Sequence, residues 1–188
     1  MNLKRTAAVA VFLGLGFATL VTQTSCSKSH ASTPATMTLY DSLGGTTMVS
    51  DPANAGQMIE KGRLGVRTVV DSAIFIIAGD TAINGFFTVL LGEVTSGNKS
   101  GFQRLSKNLT DFITVATGAK DYTYGGLSMK NAHNPATNPR MNGKADAHDF
   151  DVFVTDVAAS AKKNGLPDYL IARLGALLYT VKGDVVQL

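Results

Sequence analysis

The fold is constrained most by three stretches whose apolar residues recur three and four positions apart. Residues 101–116 and residues 149–162 each place phenylalanine, leucine, isoleucine or valine along one face of an amphipathic helix. A further leucine-rich stripe follows Pro167 and Asp168 and runs to Val181. A glycine, which readily caps a helix in the left-handed conformation, closes each stretch: Gly118, Gly165 and Gly183. The sequence therefore predicts amphipathic helices packed around an apolar core.

The first half of the chain adds one strongly apolar segment, residues 66–79 (VRTVVDSAIFIIAG). Its β-branched residues would also suit a strand, but its length favours a buried helix that ends at the closing glycine. Residues 39–45 predict a short helical turn stopped by two glycines, whereas residues 46–65 have no clear assignment beyond a turn at Asp51. Alternating strand patterns are few. The expected fold class is all-α.

Composition and motifs exclude several classes of function. The formal charge is +3 and the basic residues are scattered, so no basic stripe indicates nucleic-acid binding. A single cysteine allows neither an internal disulfide nor a four-cysteine metal cage. The sequence has no Gly-x-Ser-x-Gly elbow and no His-Glu-x-x-His pair, and its carboxylates are scattered. We predict no catalytic residue.

Residues 1–26 have the pattern of an export signal. A lysine and an arginine precede an apolar run over residues 7–21, which is shorter than the roughly 20 residues of a membrane span. Cys26 follows, as at the lipid-attachment site of bacterial lipoproteins, and ordinary cleavage nearby is the alternative. Residues 27–38 are small and polar and predict a linker, so the folded domain is expected over residues 39–188. We expect export to the periplasm or lipid anchoring to the bacterial cell envelope.

His133 is the residue that most clearly indicates a site. It ends a glycine-rich, aromatic segment and is one of three histidines, with His30 in the linker and His148 at a predicted helix start. A lone histidine is more often a surface or hydrogen-bonded residue. Here, however, the neighbouring helices offer apolar and aromatic faces, and a single imidazole between such walls is what haem iron requires. His148 is expected at the surface, with a role as second iron ligand as the alternative.

Four segments resemble the truncated haemoglobin family, most closely its group I. The most specific is residues 124–133 (YGGLSMKNAH), which is similar to the family's Tyr-x-Gly-x-x-Met-Lys-x-x-His. The other three are residues 39–45 (LYDSLGG), the Val-Val-Asp at 69–71 followed by Phe86 and Phe87, and the two terminal segments 149–153 and 182–186. The resemblance covers roughly residues 39–188.

This resemblance implies a two-over-two helical sandwich that binds haem b and reversibly binds O2, NO or CO. It makes His133 the proximal iron ligand. The remaining residues implied to contact haem are apolar or aromatic: Phe86, Phe87, Met129, Tyr124, Leu105, Leu109, Ile74, Phe112, Phe150 and Phe153.

The chain departs from the family pattern on the distal side. Ile74 matches the position of the family's tyrosine and Leu109 that of its glutamine, the two side chains that hydrogen-bond bound O2. Leu105 adds a third apolar residue. We therefore expect a dry distal pocket, weaker retention of O2 and relatively favoured CO or NO. The alternative is that Asn108 or Gln103 rotates in as a substitute donor. Insertions at 46–65 and 134–144 also depart from the family.

Two other functions compete with gas binding. A haem enzyme that turns over NO or peroxide would need an electron donor, and the chain has no flavin or reductase feature to supply one. A globin-like module without haem would act as a structural or interaction domain, which the apolar distal residues and altered loops allow.

Overall fold

The helices predicted from periodicity are all present in the computed structural model, which describes residues 37–188. The export segment, Cys26 and almost all of the predicted linker lie outside the described residues. The elements are, in chain order, α1 Leu39–Ser42, β1 Met48–Ser50, β2 Met58–Glu60, α2 Lys61–Gly79, a 3-10 turn Asn84–Phe87, α3 Thr88–Thr95, α4 Ser100–Ala116, α5 Met129–His133, α6 Ala147–Lys163, α7 Asp168–Tyr179 and α8 Lys182–Val185.

The α2 helix organises the fold because it packs against both α4 and α6, while α7 packs against α6. The shared core holds aliphatic side chains from all four helices, among them Val70, Ile113, Val157 and Leu174. Two helix pairs thus enclose one apolar layer, and the predicted all-α, two-over-two sandwich is confirmed. In the described part of the chain no single helix has the length and apolarity of a membrane span. The α2 helix and the Asn84–Thr95 segment, bent by 106° from each other, meet that criterion only as a pair.

Local sequence explains where the long helices begin and end. The Asp146 side chain caps α6 by accepting hydrogen bonds from the amides of His148 and Asp149. In return, the Asp149 side chain accepts a hydrogen bond from the Asp146 amide. The α4 and α6 helices end before Gly118 and Gly165, whose φ angles of +107° and +80° suit glycine. The predicted end of the last helix at Gly183 is wrong. The α7 helix stops at Tyr179, and Gly183 lies inside the short α8.

Residues 46–65, which had no clear assignment, form the β1–β2 hairpin and the first turn of α2, which begins five residues before the predicted position 66. The strands are three residues long, too short to show alternation in the sequence. The predicted turn at Asp51 is confirmed. Its buried carboxylate accepts hydrogen bonds from both terminal nitrogens of Arg67, at 2.6 and 3.2 Å, and so ties the hairpin to α2.

Candidate functional site

His133 is the last residue of α5, a five-residue helix. The helix begins after Ser128, whose side chain accepts a hydrogen bond from the Asn131 amide at 3.3 Å. The Nδ1 atom of His133 lies 2.8 Å from the carbonyl oxygen of Met129. Because a carbonyl can only accept, Nδ1 must carry the proton, and the lone pair of the neutral ring is on Nε2. The ring is therefore prepared to ligate through Nε2.

The surroundings of His133 keep its imidazole neutral. Burial lowers its pKa below the usual histidine value, and the bond to the Met129 carbonyl only partly opposes this shift. A neutral imidazole is the form that coordinates a metal ion. Tautomer and protonation state thus both suit coordination by Nε2.

The α5 helix is held in place from two sides. In the following loop, Asn138 donates to the carbonyl of Ala132 at 2.6 Å and Thr137 donates to the carbonyl of Asn131 at 2.8 Å. These bonds satisfy carbonyl groups that a helix end leaves without partners. From the other side, the Gln187 side chain donates to the carbonyl of Lys130 at 3.0 Å. A helix too short to be stable alone is therefore fixed by tertiary contacts.

The glycine-rich turn before α5 packs on α4 through Tyr124. The Tyr124 ring meets Phe112 of α4 edge-on, with 5.6 Å between centroids, and its hydroxyl donates to the carbonyl of Leu127 at 2.6 Å. A Cβ atom at Gly126 would lie 2.5–2.7 Å from the Tyr124 ring and hydroxyl, which is closer than any real contact. Glycine is therefore required at position 126, because the Tyr124 ring covers the backbone of the turn and leaves no room for a side chain.

The insertion at 134–144 connects the segment after His133 to the phenylalanine turn. The Asn142 amide donates to the carbonyl of Phe86 at 3.1 Å, and its side chain donates to the carbonyl of Gly85 at 2.9 Å. Arg140 forms an ion pair of 2.6 Å with Glu93 of α3. These contacts place the insertion between α5 and the turn that carries Phe86 and Phe87.

The other predicted site residues fall into two groups by burial. Ile74 and Phe150 are buried, Ile74 within the core cluster and Phe150 against the rings of Phe153 and Tyr179. The rest are half-buried, and four of these pack against the core cluster: Leu105, Leu109, Phe112 and Phe153. The structure thus brings Met129 to His133 and Phe112 to Tyr124 and links Phe86 to the insertion, whereas Phe150 contacts other aromatic residues.

Sequence reasoning missed the residues that hold α5 and the insertion after it. Asn138, Gln187, Arg140 and Glu93 carried no motif, and the Arg140–Glu93 pair is separated by 47 residues. His148 is exposed in the first turn of α6, as expected. In the described part of the chain, no three His, Cys, Asp or Glu side chains are arranged to hold a metal ion.

No protein-family model matches this chain. Among curated proteins, a group 1 truncated haemoglobin from a Synechocystis species is 29% identical over 141 residues, which cover 74% of this chain and 88% of the relative. Among solved structures, the truncated haemoglobin of Tetrahymena pyriformis in its Fe(III) form has a TM-score of 0.57 and 20% identity, over 80% of this chain and 99% of that one. A tyrosine-to-phenylalanine variant of the same protein gives the same values.

These similarities confirm the predicted resemblance. The chain has the fold of the truncated haemoglobins, and its sequence is related to their group 1.

Proposed function

We propose that this chain, a relative of the group 1 truncated haemoglobins, binds haem with His133 as proximal ligand and reversibly binds a diatomic gas. The observation that carries the proposal is the 2.8 Å contact between His133 Nδ1 and the Met129 carbonyl oxygen. It directs the free lone pair to Nε2, and metal-ligating histidines are commonly oriented by such a bond on the other nitrogen.

A single histidine fits haem better than a bare metal ion. Haem iron needs only one protein ligand, because the porphyrin supplies four nitrogens. The side chains proposed to cover the porphyrin are mainly apolar and half-buried: Phe86, Phe87, Leu105, Leu109, Phe112, Met129 and Phe153. Burial of their remaining apolar surface by haem would stabilise the complex by about 25 cal/mol per Å2. We propose haem b, which needs no covalent attachment to cysteine.

The proposed gas site is unusually apolar. Leu105 and Leu109 on α4 and Ile74 on α2 offer no hydrogen-bond donor to a bound ligand. A net hydrogen bond contributes about 0.5–1.5 kcal/mol, or roughly two- to tenfold in affinity. O2 gains more than CO from such bonds because bound O2 carries more negative charge. We therefore propose weak retention of O2 and relatively tight binding of CO or NO.

Absorption spectroscopy of the purified full chain reconstituted with haemin tests the haem proposal. We expect a sharp Soret band that shifts on addition of CO to the reduced protein, and a haem b spectrum after extraction into alkaline pyridine. His133→Ala should lose or strongly alter the band, whereas His148→Ala, at an exposed histidine, should not. A wild-type spectrum identical to that of free haemin would refute haem binding.

The apolar distal side is tested by introducing a donor. Leu109→Gln should slow O2 dissociation by roughly two- to tenfold relative to the wild type, the value of one hydrogen bond. Leu109→Met is the matched control, because it keeps the volume and adds no donor. Equal O2 dissociation rates in all three proteins would place residue 109 away from the bound gas.

We also propose that the protein acts outside the cytoplasm. The support is the sequence pattern of residues 1–26 and the position of Cys26 directly after it. Expression in a bacterium with labelled palmitate should give a labelled membrane-bound protein, and Cys26→Ser should lose the label. A soluble periplasmic wild-type protein without label would support ordinary cleavage, and retention in the cytoplasm would refute export.

A further inference from the structure

Side chains, and not a further turn of helix, bind the last carbonyl groups of α5. The end of any helix leaves its final carbonyls without intrahelical partners. In α5, three consecutive carbonyls each accept a hydrogen bond from a side chain outside the helix: Lys130 from Gln187, Asn131 from Thr137 and Ala132 from Asn138. The shape of this short helix therefore depends on three separate donors.

Gln187 is the donor that comes from a distant part of the chain. Thr137 and Asn138 belong to the insertion that directly follows α5, whereas Gln187 lies after α8. The amide of Gln187 donates to the carbonyl of Ala145 at 2.9 Å, and Ala145 is buried just before α6. Val185, two residues earlier, is buried as well. The main chain thus anchors Gln187 while its side chain reaches α5.

The bond from Gln187 lies next to the bond that orients His133. Met129, whose carbonyl accepts the Nδ1 proton of His133 at 2.8 Å, directly precedes Lys130. This carbonyl reaches the ring only while the intervening residues are helical, because one turn of helix brings positions four apart together. Five residues are too few to remain helical alone. Loss of helical geometry at Lys130 would therefore separate the Met129 carbonyl from the ring.

Without this contact, the neutral imidazole of His133 would change its tautomer. In water the tautomer with the proton on Nε2 is the more stable one, and in a protein the hydrogen bond at one nitrogen decides which nitrogen carries the proton. A proton on Nε2 occupies the lone pair that the proposed function assigns to the iron. The bond to Met129 thus selects the less common tautomer.

We propose that Gln187 is a positioning residue for His133. By donating to the Lys130 carbonyl at 3.0 Å, it keeps α5 helical, and the helix keeps the proton of His133 on Nδ1. The bond is made to the main chain of Lys130 and not to the ring, so Gln187 acts through the backbone of α5. The value of this tautomer for an iron ligand rests on the proposed function, whereas the tautomer itself is defined without haem.

The test is nitrogen nuclear magnetic resonance of the imidazoles in the isotope-labelled, haem-free full chain at pH 8, above the usual histidine pKa. His133→Gln identifies the His133 signals by their loss. We expect the wild type to carry the proton on Nδ1. Gln187→Met keeps the side-chain length but has no donor, so it should populate the Nε2 tautomer. A proton on Nε2 in the wild type, or an unchanged tautomer in Gln187→Met, would overturn the proposal.

Asn164→Leu is the matched control. The Asn164 side chain also donates to a carbonyl near a helix end, that of Ser160 in α6, at 2.8 Å. Each substitution removes one hydrogen bond, so both should lower the melting temperature by a similar small amount. Only Gln187→Met should change the tautomer of His133. An equal change in both variants would overturn the proposal, because it would reflect a general loosening of the fold.

Gln187→Glu repeats the test with a side chain of nearly the same shape. An ionised carboxylate can only accept, so this variant should also populate the Nε2 tautomer, and a wild-type tautomer would contradict the proposal. In the reduced, haem-loaded protein, the iron–histidine stretching band should shift in Gln187→Met and not in Asn164→Leu, because its frequency depends on the hydrogen bond at Nδ1. A wild-type chain that binds no haem would refute the proposed function, while the tautomer would still decide the role of Gln187.

Discussion

The Nδ1 atom of His133 lies 2.8 Å from the carbonyl oxygen of Met129, one helical turn earlier in the same helix. Because the acceptor is a main-chain carbonyl, any residue four positions before His133 would supply it, so the bond depends on the helical backbone and not on the methionine side chain. The main-chain carbonyl of Met129 orients the imidazole of His133 in the same helix, so no second side chain is needed at the ring to set the tautomer.

The lowered pKa of His133 gives a defined dependence on pH. Since burial lowers the pKa in the folded chain, the unfolded chain binds the proton more readily. The stability contributed by neutral His133 is complete above the unfolded pKa of about 6.5 and is lost as pH falls through the folded pKa. Urea unfolding of the haem-free full chain should therefore show a smaller free energy of unfolding at pH 5 than at pH 7.

His133→Gln should flatten this dependence between pH 5 and pH 7, because glutamine does not titrate. His148→Gln is the control, since His148 is exposed at the start of α6 and should leave the slope unchanged. The assignment to His133 would be wrong if the two substitutions flattened the curve equally.

Gly126→Ala should displace Tyr124. The added Cβ would lie within 2.7 Å of a ring that is held by Phe112 and by the Leu127 carbonyl, so the ring or the turn must move. We expect a loss of about 1–3 kcal/mol in the free energy of unfolding, which is typical of overpacking. Chemical denaturation measures this loss.

Gly125→Ala provides the comparison for this prediction. Nothing lies within 4 Å of a Cβ at Gly125, and its backbone is not left-handed, so the substitution should change stability by less than about 0.5 kcal/mol. Similar losses for both variants would show that the turn, and not the Tyr124 ring, sets the requirement for glycine.

The sequence indicated the parts of the fold that depend on local pattern. The stripes of α4, α6 and α7 and the buried α2 all follow from the spacing of apolar residues, and the glycine after α4 or α6 marks its end. The β1–β2 hairpin did not follow, because three-residue strands carry too few positions for a period-two pattern. Local signals therefore give the framework of the fold and miss its shortest elements.

The site was predicted only in part for a related reason. His133 belongs to a motif within ten consecutive residues, whereas some of the contacts that hold α5 and the insertion after it come from distant segments. Gln187 bonds Lys130 across 57 positions, and Arg140 pairs with Glu93 across 47. Such pairs leave no periodic trace in a single sequence. The same holds for the pair of Arg63 and Asp111, which joins α2 to α4 across 48 positions.

Arg140→Gln should loosen the insertion at 134–144. The Glu93 pair is only partly buried, so its loss should lower the free energy of unfolding only slightly. The local effect should be larger, because the pair is a direct tie between the insertion and α3. We expect faster proteolysis within residues 134–144. Limited proteolysis with mass spectrometry of the fragments measures the rate.

The control for this prediction is Lys162→Gln. Lys162 and Asp168 are 3.9 Å apart and both strongly exposed, so loss of this ion pair should alter neither stability nor the rate of proteolysis. Acidification should reproduce the effect of Arg140→Gln, since Arg140 lowers the pKa of Glu93 and the pair is lost as pH falls through that pKa. An unchanged cleavage rate in Arg140→Gln would mean that the bonds of Asn142, Thr137 and Asn138 hold the insertion without the Glu93 pair.

Asp156→Asn should stabilise the protein at neutral pH. Asp156 is buried on α6, and its Oδ2 atom has no hydrogen-bond partner within the described residues. Burial, with a smaller contribution from the charge of Asp80, raises the pKa of Asp156 in the folded chain. Stability is therefore lost as pH rises from the pKa of the unfolded chain through the pKa of the folded chain. Removing the charge should increase the free energy of unfolding at pH 7 by about 1 kcal/mol, the low end of the cost of an unpaired buried group.

Asp151→Asn should act in the opposite direction, because Asp151 pairs with Lys182 at 2.6 Å. Thermal melts of both variants at pH 7 decide between the signs, and a lower melting temperature for Asp156→Asn would mean that its carboxylate has a stabilising partner.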